Sequence, residues 1–154
     1  LFPYTTLFRS QTDAGVYLEL LPEYQDGLIG LDDFSHLYVL YWFHHLDIPE
    51  LRGTTVSKPY TNGPEELGTF ATRGPVRPNP IALSAAKITS IQGNKVYLEY
   101  LDAEDNSPIL DIKPYTASFD VLETFQGPEW SAHWPQSFER SGNFDWGAEF
   151  NFSE

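Results

Sequence analysis

FSHLYVLYWF, residues 34–43, is the stretch on which the fold turns. It is rich in aromatic and β-branched side chains and apolar on both faces. Periodicity alone fits such a run either to a buried helix segment or to a strand covered on both sides. Its composition favours a central strand. Neighbouring segments carry the same signal. Val16, Leu18 and Leu20 alternate with Tyr17 and Glu19, the period of a half-buried strand. Ile81–Ile91 and Lys95–Leu101 flank Gln92-Gly93-Asn94, a good hairpin turn, and Val96, Leu98 and Tyr100 then share one face. Pro108–Ile112 is a further short strand that ends at Lys113-Pro114. Strands at this spacing predict a mainly β fold, a small barrel or a sandwich. Helical signal is weak: one turn within Glu23–Leu31 and a short capped turn at Pro64–Leu67.

With 154 residues and 17.5 kDa, the chain is long enough for one ordinary core. It has no Cys, which excludes disulfides, thiolate zinc sites and cysteine nucleophiles. It also has no Met, and the start at Leu1 suggests a fragment or a processed product. No signal-peptide pattern is evident, and with mean hydropathy −0.35 no apolar run is long enough to span a membrane. The expected location is cytoplasmic. The net charge of −13 argues against a protein that coats nucleic acid nonspecifically. That charge sits on the flanks, net −7 over residues 1–67 and −6 over 119–154, while residues 68–118 are neutral. The middle segment supplies Arg73, Arg77, Lys87, Lys95 and Lys113 to any anionic ligand. The last stretch, from Phe119, scatters nine aromatic rings among Gly, Pro, Ser and acids. It reads as an irregular tail laid over the barrel or a partner subunit, or as a stacking surface for a flat ligand.

Candidate chemistry concentrates in residues 71–81, ATRGPVRPNPI. Pro75, Pro78 and Pro80 fix φ and remove backbone donors, and each preceding residue is pushed toward extended geometry. A loop this stiff holds Arg73 and Arg77 with little entropy left to lose. It is either a preorganised site for a carboxylate or phosphate, or a rigid connection with solvated arginines. His36, His44 and His45 lie on or just past the aromatic strand. If that strand runs unbroken, His36 and His44 share a face and His45 points away, which makes a metal site with Asp47 and Glu50 awkward. Ser35-His36 with Asp32 or Asp33 lacks a nucleophile elbow, and neither common nucleotide fingerprint is present. Asp102–Pro108 is an acidic turn, either a solvated hairpin loop or a place where Asp105 and Asn106 accept from a ribose or an amine. Asp111 and Lys113 share a strand face. They pair with each other, or one serves as a proton acceptor in a cleft.

Three segments in this order, GLxxLxxFSHLYVLYWFH, GTFATRGPVRPNPIALS and SPILDIKPY, resemble the TsaA-like (TrmO-type) β-barrel methyltransferases. The similarity covers about Gln11 to Asp120. The resemblance implies a small antiparallel β-barrel that works as a homodimer. It implies S-adenosylmethionine as cofactor and, as reaction, methylation of N6 of threonylcarbamoyladenosine beside the tRNA anticodon. Carried over by motif, the cofactor contacts are Gln11, His44, His45, Arg73, Leu83 and the turn Asp105, Asn106, Ser107 and Pro108. Arg77, Asn79 and Pro80 belong to the same signature loop. Asp111, Lys113 and Tyr115 are substrate candidates, the catalytic residue is open, and no metal is expected. The chain departs from the family pattern at Gly74 and Ala82, and, with an acidic aromatic tail where the bacterial enzymes carry an additional C-terminal domain, it is expected to be the short form of the family. Residues 1–10 show none of the usual first-strand pattern. They are expected to be a foreign or truncated leader that leaves a sheet edge exposed. The expected organisation is a leader at 1–10, a barrel at 11–120 and a tail at 121–154. Competing functions are methylation of a small molecule or another modified base, a noncatalytic S-adenosylmethionine-binding module, and a purely structural dimeric barrel.

Overall fold

The computed structural model describes residues 15–151 and the backbone of Thr5–Thr6. Among these residues run eight strands: β1 (Thr5–Thr6), β2 (Val16–Glu19), β3 (His36–Trp42), β4 (Thr55–Ser57), β5 (Glu66–Gly68), β6 (Ile81–Gln92), β7 (Lys95–Leu98) and β8 (Pro108–Pro114). Six form one antiparallel sheet in the order β1-β8-β3-β6-β7-β2, while β4 and β5 form a separate hairpin.

The aromatic stretch is the central strand. β3 pairs with β6 along its whole length on one side and with β8 over Leu37–Tyr41 on the other. Leu37, Val39 and Tyr41 point into the core, while His36, Tyr38, Leu40 and Trp42 are half-exposed on the outer face. Val16, Leu18, Leu20, Val96, Leu98, Leu101 and Ile109 complete the interior. Full burial of an aliphatic side chain of this size contributes about 1.5–3 kcal/mol. The sheet curls because β6 is long: Ile81–Lys87 pairs with β3, and from Ile88 onward it pairs with β7. Register shifts at Leu40/Tyr41 and Ile88/Ser90 add bends of the kind that one extra residue produces. The edge strands β1 and β2 thereby come within 8 Å of each other at Cα, in an open barrel. The hairpin turn is Gly93-Asn94, with Gly93 at φ 60°, a conformation that glycine adopts at no steric cost.

Several boundaries differ from the sequence expectations. β7 stops at Leu98 instead of Leu101, whereas β8 ends at Pro114 as expected, its residues pairing along β3. The Glu23–Leu31 turn is two 3-10 segments, Pro22–Leu28 and Leu31–Asp33. The capped helical turn expected at Pro64–Leu67 does not form; Glu66–Gly68 is a strand. Lys58 holds the turn before it. Its amide donates to the Glu65 carbonyl at 2.7 Å and its Nζ to the Gly63 carbonyl at 2.9 Å. A two-strand ladder satisfies more backbone groups there than one isolated helical turn would. Thr5–Thr6, inside the expected leader, pairs with Pro108–Ile109 of β8. Other residues of 1–10, and Gln11, lie outside the described residues.

Beyond the sheet the chain forms three single-turn helices, α1 (Ala117–Asp120), α2 (Phe138–Ser141) and α3 (Trp146–Glu149). Ser137 and Asp145 cap the last two by accepting from Arg140 and Ala148 amides. This segment gathers on Tyr60, which is buried in the β4–β5 connection. Trp130 stacks on the Tyr60 ring at 5.1 Å, Trp134 meets it edge-on at 5.1 Å, and Phe150 lies at 5.8 Å. The Thr61 amide donates to the Glu149 carbonyl and the Asn151 amide to the Pro59 carbonyl. Phe119, Leu122 and Phe125 remain exposed. No described helix is long and apolar enough to cross a membrane.

Candidate functional site

The proline-rich loop is tied down from within. Thr72 is buried, its hydroxyl donates to the Thr69 carbonyl at 2.8 Å, and Thr69 in turn donates to the Gly53 carbonyl at 2.9 Å. Arg77 is spent on the loop itself: its Nη1 donates to the carbonyls of Thr72 at 3.2 Å and Gly74 at 2.9 Å. Pro80 is buried and its carbonyl accepts from the Phe43 amide at 2.8 Å, which fastens the loop to the end of β3. From outside, Arg52 donates to the Pro78 carbonyl and pairs with Asp47, which also accepts from the Trp42 indole.

Arg73 projects from this support to the open edge of β6, where its Nη2 donates to the Leu83 carbonyl at 3.2 Å. Along that edge lies a cleft of about 320 Å³ lined by Arg73, Arg77, Thr72, Leu83, Ser84 and Tyr41, among others. Phe43 and Asp102 separate it from a smaller cleft of about 150 Å³ that holds His44, His45, Glu104 and Ser107. The same two residues, with Thr72 and Arg73, border a third cleft of about 440 Å³, walled by Tyr60, Trp134, Trp146 and Phe150. Three clefts thus meet at Phe43 and Asp102.

The histidines differ from the unbroken-strand expectation. β3 ends at Trp42 and His44–Leu46 is a 3-10 turn, so the two rings face each other at 3.8 Å instead of pointing apart. Burial and the neighbouring His45 hold the His44 imidazole below its ordinary pKa, against the Trp42 carbonyl and Glu104. A neutral ring has one donor and one acceptor nitrogen. Nδ1 of His44 is buried and meets no hydrogen-bond partner. No group of three metal-ligating side chains occurs among the described residues.

Other sequence candidates scatter. Ser107 is buried against the histidine cleft, and its amide donates to the Glu104 carbonyl at 3.2 Å. Asp105 and Asn106 are exposed on the turn and line none of the three clefts; Asn106 takes φ 63°, which Asn tolerates better than most residues. Asn79 is exposed outside the clefts, and Pro108 begins β8. Asp111 and Lys113 pair with each other at 2.7 Å, and Tyr115 packs on Tyr38. None of these three lines the joined clefts.

Sequence reasoning missed Tyr41, Phe43, Tyr60 and a distinct place for Asp102. Tyr41 left a trace: it shares strand parity with Leu37 and Val39, and a phenol among core aliphatics must find a partner. Its hydroxyl donates to the Asp102 carbonyl and lies 3.3 Å from Ser84 Oγ. Burial raises its pKa, so it stays a donor.

The site thus combines an open antiparallel barrel, an arginine at a free strand edge, an unpartnered imidazole nitrogen and an aromatic wall. Residues 6–121 match the family of the tRNA-methyltransferase O N-terminal domain, and the chain belongs to that family. It is 39% identical over 109 residues to a probable S-adenosyl-L-methionine-binding protein of Pyrococcus horikoshii, covering 70% of this chain and 78% of that one. It is 43% identical over 99 residues to the tRNA (adenine(37)-N6)-methyltransferase of Mus musculus, covering 62% of this chain but 22% of that protein. The crystal structure of TrmO from Pseudomonas aeruginosa superposes with a TM-score of 0.57 at 27% identity, over 80% of this chain and 57% of that one.

Proposed function

We infer that this protein is an S-adenosylmethionine-dependent methyltransferase that modifies N6 of adenosine 37 in tRNA. The observation that carries the reading is the pair of neighbouring clefts that share Phe43 and Asp102, with Arg73 of the family's signature loop lining one and the His44 ring lining the other. The residues fit the cofactor. Arg73 suits its carboxylate, and His44, Glu104 and Ser107 suit the polar edges of a nucleoside. When bound, S-adenosylmethionine supplies an activated methyl group. The chain's part is to align donor and acceptor and to accept a proton.

tRNA is the partner this activity requires. Lys87, Lys95 and Lys113, the lysines of the neutral middle segment, are each paired with a carboxylate, Glu99, Glu19 and Asp111 respectively. Arg77 is bound to its own loop and Arg73 is assigned to the cofactor, which leaves Arg140 as the described cation without a carboxylate partner or another role. Binding is therefore confined to few phosphates and falls with salt. A homodimer is the proposed assembly. Support comes from Phe119, Leu122 and Phe125, 88%, 73% and 66% exposed within seven residues. We place the activity in the cytoplasm, where tRNA is used in translation.

The test is a thermal-shift titration followed by a transfer assay. At a hundredfold excess over Kd the cofactor adds about 2.7 kcal/mol, or roughly 5–10 °C for a chain of this size. Arg73→Ala is expected to lose most of that shift. Methyl transfer is expected to tRNA carrying threonylcarbamoyladenosine and not to unmodified tRNA. No shift at millimolar cofactor would overturn the reading.

A further inference from the structure

The aromatic cleft opens onto the same junction of Phe43 and Asp102 as the other two. Its rings are fixed in place. Trp146 and Phe150 stack at 5.3 Å with an 18° tilt, and Trp134 abuts Trp146 edge-on at 5.5 Å. The Trp146 indole donates to the Ser141 carbonyl and hydroxyl, both at 3.1 Å, so its ring cannot easily turn. Pro75 and Val76 of the signature loop form part of the rim. A cleft walled by fixed rings suits a flat ligand, because stacking costs such walls little reorganisation.

Asp102 is the one carboxylate that lines both this cleft and the cleft of Arg73. Its backbone is clamped by the Tyr41 hydroxyl on its carbonyl oxygen. Its carboxylate has no hydrogen-bond or ion-pair partner among the described residues. An ionised carboxylate only accepts. Here it stands at the boundary between the cleft of Arg73 and the aromatic cleft.

We propose that the aromatic cleft takes the acceptor adenine, with its exocyclic nitrogen turned toward Asp102, and that the Asp102 carboxylate accepts the proton this nitrogen releases. The proposal deepens the methyltransferase reading and rests on it. The nitrogen–carbon bond forms as the sulfur–carbon bond of the donor breaks, the sulfonium becomes a neutral thioether, and the nitrogen's proton passes to Asp102 and then to water. The tail is then one wall of the acceptor site.

The test uses the full chain and a tRNA anticodon stem–loop carrying threonylcarbamoyladenosine. Asp102→Asn is expected to lower kcat at least about a hundredfold, within the range one proton-transfer group supplies. It should lower kcat far more than it changes the cofactor thermal shift. Asp102→Glu, which keeps the carboxylate, should retain more rate than Asp102→Asn. Trp146→Leu is expected to raise KM for the stem–loop about tenfold with kcat little changed, the loss of one stacking contact. A kcat within threefold of wild type for Asp102→Asn, or an unchanged KM for Trp146→Leu, overturns the proposal while the methyltransferase reading stands. A wild-type chain that binds cofactor but methylates no tRNA overturns both.

Discussion

Replacing Tyr60 with Ala should detach the C-terminal segment from the barrel. Tyr60 is 7% exposed and touches three rings of that segment, Trp130, Trp134 and Phe150. Truncating a buried aromatic to Ala costs about 3–5 kcal/mol, from lost transfer energy and the cavity left behind. If the whole chain unfolded as one unit, that would lower Tm by about 6–20 °C at roughly 2–4 °C per kcal/mol. The segment offers a cheaper response. Besides the rings, its hold on the β4–β5 connection is the pair of backbone bonds from Thr61 and Asn151 and the Thr61 hydroxyl on the Ala148 carbonyl. At about 0.5–1.5 kcal/mol net each, these bonds cannot retain it once the rings let go. Local release is therefore expected, with a smaller fall in the barrel's own Tm. Intrinsic fluorescence reads this directly, because Trp130, Trp134 and Trp146 are three of the four tryptophans. Emission should shift to the red at temperatures where far-UV dichroism still reports the native sheet. Tyr60→Phe, which keeps the ring, should behave nearly as wild type. Tyr60→Ala with unchanged emission and a Tm within about 2 °C of wild type would refute this account of the tail.

Arg77→Ala should destabilise the signature loop, since it removes two charge-assisted bonds to the Thr72 and Gly74 carbonyls. Those carbonyls can rehydrate in part, so the expected cost is about 1–2 kcal/mol, seen in a denaturant titration together with weaker cofactor binding. Acid should loosen the tail before the barrel. Burial pushes the Glu149 carboxyl up, but the His133 hydrogen bond, with the nearby polar groups of Trp134 and Asn62, outweighs it and holds it below its ordinary pKa. A depressed folded value means this stabilisation is complete above the unfolded pKa of about 4.3 and disappears as pH falls through the folded one. Tryptophan emission followed from pH 6 downward should therefore redden below about pH 4 in wild type. In Glu149→Gln the pH dependence of this transition should be gone.

Much of the barrel was legible in the sequence, because strands announce themselves locally. The alternation in Val16–Glu19, the Gly93-Asn94 turn and the two-sided apolar run at 34–43 each depend only on a pleat of period two and on one glycine. The errors fell where pairing across the sheet decided the outcome. Whether Pro64–Leu67 is a helical turn or a strand depends on Thr55–Ser57 lying opposite, which no local pattern reports. His44 and His45 were misplaced for the same kind of reason: the strand stops at Trp42, and a 3-10 turn brings together rings that a continued pleat would separate.

For the site, the chain order already carried the stiff arginine loop and its family signature, since proline acts on its own backbone and on the residue before it. It did not carry the division of labour between the two arginines. That Arg77 binds its own loop while Arg73 reaches the open edge of β6 follows from where β6 loses its second neighbour. Nor could it say that Asp102, one of several acids in a turn, stands at the meeting point of three clefts, or that Trp134, Trp146 and Phe150 wall one of them. Those residues are far apart along the chain. Only the curl of the sheet and the anchor at Tyr60 bring them within reach of Arg73, because closing so long a loop is repaid by buried rings and not by any local preference.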